Sequence, residues 1–229
     1  MKTQDILLKI YQSLYNYFGP LNWWPGGSPF EVMVGAILTQ NTSWNNVEKA
    51  IKNLKKRNLL NPEAFYYLNQ EELSKLIKPS GYYNIKAQRL KNFVTFFFEE
   101  FEGSTEKMFS GDSEELRKKL LNIKGIGPET ADSILLYAGE KPFFVIDTYT
   151  KRIFSRHKLI SKEAAYHHIQ EFFYRNLPKE VKLFNEFHAQ IVMLGKTRCT
   201  SKNPDCPKCP IVYLKRKAKS AKCKTITQS

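Results

Sequence analysis

Residues 116–138, LRKKLLNIKGIGPETADSILLYA, confine the chain to one local geometry more tightly than any other stretch. Leu116, Leu120 and Ile123 recur at helical spacing, and so do Ala131, Ile134, Leu135 and Ala138. Between these two apolar stripes lies only Lys124-Gly125-Ile126-Gly127-Pro128, so the two helices must turn sharply against each other. Glycine allows positive φ and close approach of a second backbone. Pro128 suits the first turn of the second helix, where a missing N–H costs nothing. Ile126 is expected to point back and pin the two helices together. The amides at that helix start, with those of the glycines, form a site for an anion. A plain helical turn with a glycine cap would account for a bare GxG; the whole pattern L-x-x-I-K-G-I-G-x-x-T-A is far more specific.

The rest of the chain also reads as helix. A first amphipathic helix carries Ile6, Leu7, Ile10, Leu14 and Phe18. Val32–Gln40 opens after Ser28-Pro29, a good helix start. Further helices are expected over 47–54, 88–101, 113–121, 130–137, 148–154, 162–176 and 179–194. Turns are expected at Asn61-Pro62 and Pro79-Ser80-Gly81. Phe143–Ile146 is the one β-rich run, short enough to be a loop. The class is therefore all-α. With 229 residues and 42% hydrophobic content the chain has enough material for one large domain or two small ones. No apolar run reaches the length of a membrane span, about 20 residues. The N-terminal stretch lacks the continuous apolar core of a signal peptide. The expectation is an intracellular, cytoplasmic protein.

A net charge of +14 leans the chain toward a polyanion, since neutralising each phosphate releases counterions. A hairpin that grips phosphate through backbone amides fits double-stranded DNA as that polyanion. Asp147, in FFVIDTYTKRIF, reads on its own as a helix N-cap. All three tryptophans, Trp23, Trp24 and Trp44, flank GAILTQNTS. Core packing is the ordinary role of such residues, but their grouping also offers flat faces on which an extruded base could stack. The four cysteines, Cys199, Cys206, Cys209 and Cys223, are spaced C-x6-C-x2-C-x13-C. In an intracellular chain this pattern points to a soft-ligand metal site rather than disulfides, and leaves zinc and an iron–sulfur cluster open. His157, His167, His168 and His188 show no ligand spacing.

These motifs together resemble the helix-hairpin-helix base-excision DNA glycosylases, the endonuclease III superfamily. The likeness runs from about Trp23 to Cys223. The resemblance implies two helical lobes with a DNA-binding cleft between them. One lobe is residues 21–135 and ends in the hairpin, which spans about 116–138. The other joins 1–20 to 136–229 and carries the cysteine loop, 199–223. Lys124, Gly125, Ile126, Gly127 and Thr130 would bind the DNA backbone. Gln40 and its neighbour Asn41 would meet the duplex, Gln40 as the wedge. Asp147 would be the catalytic carboxylate. Asp147 and the hairpin are expected on one side of the cleft, Gln40 and the tryptophans on the other.

Relatives that also cut the strand carry a lysine where this chain has Glu129, and a carboxylate cannot form an imine with the sugar. The resemblance therefore implies a glycosylase without lyase action, although Lys124 and Lys141 stand nearby in sequence. WWPGGSPFE, GAILTQNT, KPSGYYNIKAQRL and KGIGPETADSILLYA are most similar to the bacterial 3-methyladenine DNA glycosylase III branch. By that likeness Trp24, Pro25 and Trp44 would line the base pocket, with alkylated purines as substrate. An electron-rich indole favours such a cationic base. The family also holds a [4Fe–4S] cluster with C-x6-C-x2-C and a fourth cysteine after five residues. Here Lys215 stands at that place, and Cys223 would have to complete the set. The protein is expected to act as a nucleoid-associated monomer. Two other functions compete: an endonuclease III-type glycosylase/lyase for oxidised or mismatched pyrimidines, and a DNA-binding protein without catalysis.

Overall fold

The structure, a computed structural model, describes residues 2–214. Among the described residues the α-helices are α1 (Thr3–Phe18), α2 (Pro29–Leu38), α3 (Trp44–Lys56), α4 (Pro62–Tyr67), α5 (Gln70–Leu76), α6 (Tyr83–Phe101), α7 (Thr105–Ser110), α8 (Ser113–Asn122), α9 (Pro128–Ser133), α10 (Thr148–Arg156), α11 (Tyr166–Tyr174) and α12 (Val181–Thr197). No β-strand occurs among the described residues, so the fold is all-α. The described residues divide into two compact units, one of residues 24–143 and one joining 2–23 to 144–214.

In the unit of residues 24–143, α2 is the central helix. Its sequence, PFEVMVGAIL, has one charged side chain and is apolar all round, as a helix enclosed on every side must be. Every residue from Phe30 to Leu38 is buried. Ser28 opens it: the hydroxyl accepts the Glu31 amide at 3.2 Å, and Pro29 occupies the first turn. Around it pack α3, α6, α9 and the residues after α9. The Phe30, Phe65, Phe93 and Phe97 rings fill the space against α4 and α6.

The other unit centres on α12, which packs against α1 and α10. Leu7, Ile10 and Leu14 are the buried stripe of α1. Phe144 stacks on Phe173 at 3.9 Å between ring centres, and Phe154, Phe184 and Phe187 enclose the pair. The β-rich run is an extended loop. Its backbone is satisfied by side chains instead of a ladder: Tyr174 Oη accepts the Phe144 amide, Tyr166 Oη accepts the Ile146 amide, and Gln170 Nε2 donates to the Phe144 carbonyl at 2.9 Å.

Several elements differ from the periodicity. The helix expected from 162 begins only at Tyr166, because Ser161 caps a local turn by accepting the Glu163 amide. The helix expected over 130–137 is α-helical to Ser133 and then widens to a π-turn over Ile134–Ala138, where the Gly139 amide reaches the Ile134 carbonyl at 3.1 Å. The short helices α4, α5 and α7 are too brief to show a period. Each starts at a side-chain cap, Asn61, Asn69 and Ser104 respectively.

Candidate functional site

In the unit of residues 24–143, α8 and α9 form the expected hairpin. Gly125 has φ +101°, and a Cβ there would come 2.3 Å from Arg89 Cγ, so both backbone and packing require glycine. Gly127 differs: its φ is −97°, and a Cβ would meet nothing within 4 Å. Its glycine therefore leaves the outer face of the turn open. Ile126 is buried between the helices, as expected, while Lys124 and Glu129 are exposed. A bidentate ion pair braces the hairpin from behind. Arg117 on α8 donates Nε to Asp132 Oδ1 at 2.6 Å and Nη2 to Oδ2 at 3.1 Å, and Asp132 is fully buried.

Gln40 stands beside the hairpin. Its Nε2 donates to the Gly125 carbonyl at 3.1 Å and to Thr130 Oγ1 at 2.9 Å, and its Oε1 accepts from Arg89. This corrects the expected placement of Gln40 across a cleft from the hairpin. Because α2 packs against α9, the residue just past the α2 C-terminus reaches the turn itself. Asn41 follows in the left-handed region, φ 54°, and is exposed. Gln40 and Asn41 line a cavity of about 290 Å³ with Tyr82, Ile85, Lys86 and Arg89. Lys86 is a lysine that sequence reading passed over. It is 1% exposed, and its Nζ donates to the Leu38 carbonyl at 2.9 Å and the Ser80 carbonyl at 2.6 Å. It thus ties down the last turn of α2 ahead of Gln40. Burial, and then the Arg89 charge, lower its pKa to about 8.

The tryptophans separate. Trp24 and Trp44 meet at right angles, 88° with centres 5.1 Å apart, and Trp24 also contacts Tyr137 at 5.2 Å. The Trp24 indole packs against Gly35, where a Cβ would sit 3.2 Å from its ring. Trp44 Nε1 donates to Glu48 Oε1 at 2.7 Å. Trp24, Pro25, Gly35, Trp44, Glu31 and Glu48 are among the walls of a cavity of about 260 Å³. Trp23 falls in the other unit, under the Lys196 ammonium.

In that other unit Asp147 caps α10. Oδ1 accepts the Thr150 amide at 2.7 Å and the Thr150 hydroxyl at 2.9 Å. Oδ2 lies 3.6 Å from Nε2 of His188 on α12. Burial acts to raise the Asp147 pKa, but the His188 contact and charge, with the two Thr150 bonds, outweigh it and hold the carboxyl below its ordinary value. The α10–α12 approach is close because of Gly195, where a Cβ would fall 2.2 Å from Tyr149 Cδ1.

Cys199, Cys206 and Cys209 line one pocket, together with Arg156 and Arg198. Two arginines of α10 hold this loop. Arg152 donates to the carbonyls of Gly195 and Cys199, and Arg156 to those of Thr200 and Ser201 and, at 3.3 Å, to Cys199 Sγ. Cys223 lies outside the described residues, and among the described residues no three His, Cys, Asp or Glu side chains are gathered closely enough to hold a metal ion by themselves. No helix among the described residues is long and apolar enough to cross a membrane.

Comparison with known proteins agrees with this architecture. Residues 34–179 match the model of the HhH-GPD superfamily of base excision DNA repair proteins. A Methanocaldococcus jannaschii protein, named for the DNA repair glycosylases, is 49% identical over 209 residues, which cover 90% of this chain and 94% of that one. The crystal structure of the 3-methyladenine DNA glycosylase of H. pylori bound to 1,N6-ethenoadenine matches with TM-score 0.74 and 31% identity, over 86% of this chain and 98% of the other. An endonuclease III trapped covalently on DNA shares the fold, with TM-score 0.80, 20% identity and coverage of 93% and 96%. The chain belongs to the HhH-GPD superfamily of base excision DNA repair proteins.

Proposed function

We propose that the protein is a DNA glycosylase that removes alkylated purines, such as 3-methyladenine, from duplex DNA and does not cut the strand. The observation that carries this reading is the right-angled Trp24–Trp44 corner at a cavity of about 260 Å³. One indole face at such a corner stacks a flat base and attracts its positive charge, while the second indole closes off the base's edge. The 31% identity to a glycosylase named for 3-methyladenine supports the same substrate class.

Asp147 is the catalytic carboxylate in this reading. An alkylated purine is cationic while attached and leaves as a neutral base. The bond from C1′ to the purine nitrogen breaks with its electron pair going to the base, and an oxocarbenium-like sugar forms. A carboxylate held ionised stabilises that charge and takes the proton of the water that adds to C1′. Gly125, Ile126, Gly127, Lys124 and Thr130 grip the DNA backbone, and Gln40 and Asn41 meet the duplex beside them. Glu129 at the first turn of α9 supplies no amine for an imine, which is why strand cleavage is not expected. In this reading Cys199, Cys206 and Cys209, together with Cys223, would hold a [4Fe–4S] cluster, which would serve a structural role. Their shared pocket and the Arg156–Cys199 contact support this assignment.

The test is base release from duplex DNA carrying labelled 3-methyladenine, scored before and after hot alkali. Release with strand breaks only after alkali is expected. Breaks without alkali would assign a lyase step to another lysine. No release would move the substrate to oxidised or mismatched pyrimidines.

A further inference from the structure

We infer that His188 is a positioning residue for Asp147: from α12 it holds the Oδ2 oxygen ionised and aimed, while Thr150 holds Oδ1. This rests on the reading of Asp147 as the catalytic carboxylate. The two oxygens of Asp147 have different duties. Oδ1 already accepts two bonds from Thr150, which fix the carboxyl plane to the start of α10. Oδ2 is the oxygen left for the sugar and water, and its near polar neighbour is His188 Nε2 at 3.6 Å. Both side chains are buried, and a buried carboxylate keeps its charge only beside donors or positive charge. Thr150 is neutral, so the imidazole is the partner here that can also offer a proton or a charge.

The other titratable or charged groups at this helix contact are Tyr149 and Arg152, both on α10. Burial and then Asp147 raise the Tyr149 phenol, and Arg152 opposes them. Arg152 itself is committed to the Gly195 and Cys199 carbonyls. From α1, Tyr11 faces Glu186 and Phe187 on α12.

The experiment compares wild type with His188→Gln, which keeps an N–H donor at similar reach, and His188→Leu, which keeps none. Single-turnover release of bases from dimethyl-sulfate-methylated duplex DNA is measured from pH 4 to pH 8 or so, with affinity for the same DNA measured alongside. The Asp147 carboxyl is also titrated directly by carbon NMR without substrate. Removing His188 raises the carboxyl pKa, so the acid limb of the rate and the NMR midpoint both move to higher pH, further for Leu than for Gln. The plateau rate falls roughly tenfold for Leu with DNA affinity unchanged, and Gln restores part of it. Should Leu not fold, Gln still reports the shift. Variants that only melt earlier, with midpoint and acid limb where they were, overturn the inference. Full base release by Asp147→Asn would instead sink the catalytic reading of Asp147, whatever His188 does. Absence of release in the wild type, with the NMR shift present, would sink the substrate reading and leave the Asp147–His188 relation standing.

Discussion

Gln40 and Thr130, ninety residues apart in the chain, are joined by a hydrogen bond of 2.9 Å from the Gln40 amide to the Thr130 hydroxyl. With the Gly125 carbonyl and Arg89 as further partners, both ends of the Gln40 amide are engaged at the hairpin. Thr130→Val removes one acceptor and is expected to cost about 1 kcal/mol. Gln40→Leu leaves the partly buried Arg89 and the Gly125 carbonyl without their partner and is expected to cost more, about 2 kcal/mol. Urea unfolding of the two variants measures the difference; equal losses would mean that the amide contributes nothing beyond its bond to Thr130.

The two hairpin glycines are expected to fail in different ways. Gly125→Ala forces a side chain into a positive φ and onto Arg89, and is expected to destabilise the fold by about 2 kcal/mol or more. Gly127→Ala meets open space and is expected to leave the melting temperature within a degree or two of wild type. It places a methyl group where a phosphate would approach, so affinity for undamaged duplex is expected to fall several-fold, with a shallower salt dependence. Thermal melts and salt titrations of binding separate the two effects.

Lys86 makes stability depend on pH in a defined window. Its folded pKa, about 8, lies below the ordinary lysine value of 10.5. Between the two, the unfolded chain holds a proton that the folded chain has released, so unfolding free energy rises with pH across that window. The shift corresponds to roughly 3 kcal/mol at its fullest. Lys86→Met lacks this gain. The wild-type-minus-variant difference in unfolding free energy is therefore expected to grow in favour of wild type from about pH 8 to pH 10.5; a difference flat with pH would place Lys86 as an ordinary charged lysine.

The cysteine loop is tested by metal content. Protein purified without oxygen is expected to contain iron and acid-labile sulfide in equal amounts and to absorb in the visible. Cys206→Ser and Cys223→Ser are each expected to abolish both signals. Retention of the signals in Cys223→Ser alone would remove Cys223 from the ligand set. Zinc without sulfide would assign the simpler tetrahedral site.

The parts of this molecule that were legible in the sequence are those whose chemistry is local. Ser28-Pro29 announces α2, Gly125 and Pro128 announce the hairpin, and Asp147 before Thr148 announces a cap, because each acts within a few residues of itself. The predominantly apolar α2 is likewise legible as a helix, and its burial follows from its composition. The partners that act across the fold left no local trace. His188 reads as a histidine on an apolar helix face until α12 is packed on α10. Lys86 looks like a surface lysine until its ammonium is seen between the Leu38 and Ser80 carbonyls. Arg117 and Asp132 look like two more charges in a basic chain, although they are the bidentate brace of the hairpin. Gln40 was set away from the hairpin that it in fact touches, since spacing along α2 says nothing of what lies past its end.

Gly195 has a consequence that extends past its own helix. With no Cβ between them, α12 rests directly on the Tyr149 ring, and Arg152, one turn further along α10, is bolted to the carbonyls of Gly195 and Cys199. The helix capped by Asp147 and the loop that begins at Cys199 thus meet at one joint. A methyl group at residue 195 would act as a shim in that joint, pressing on the Tyr149 ring two residues from the carboxylate.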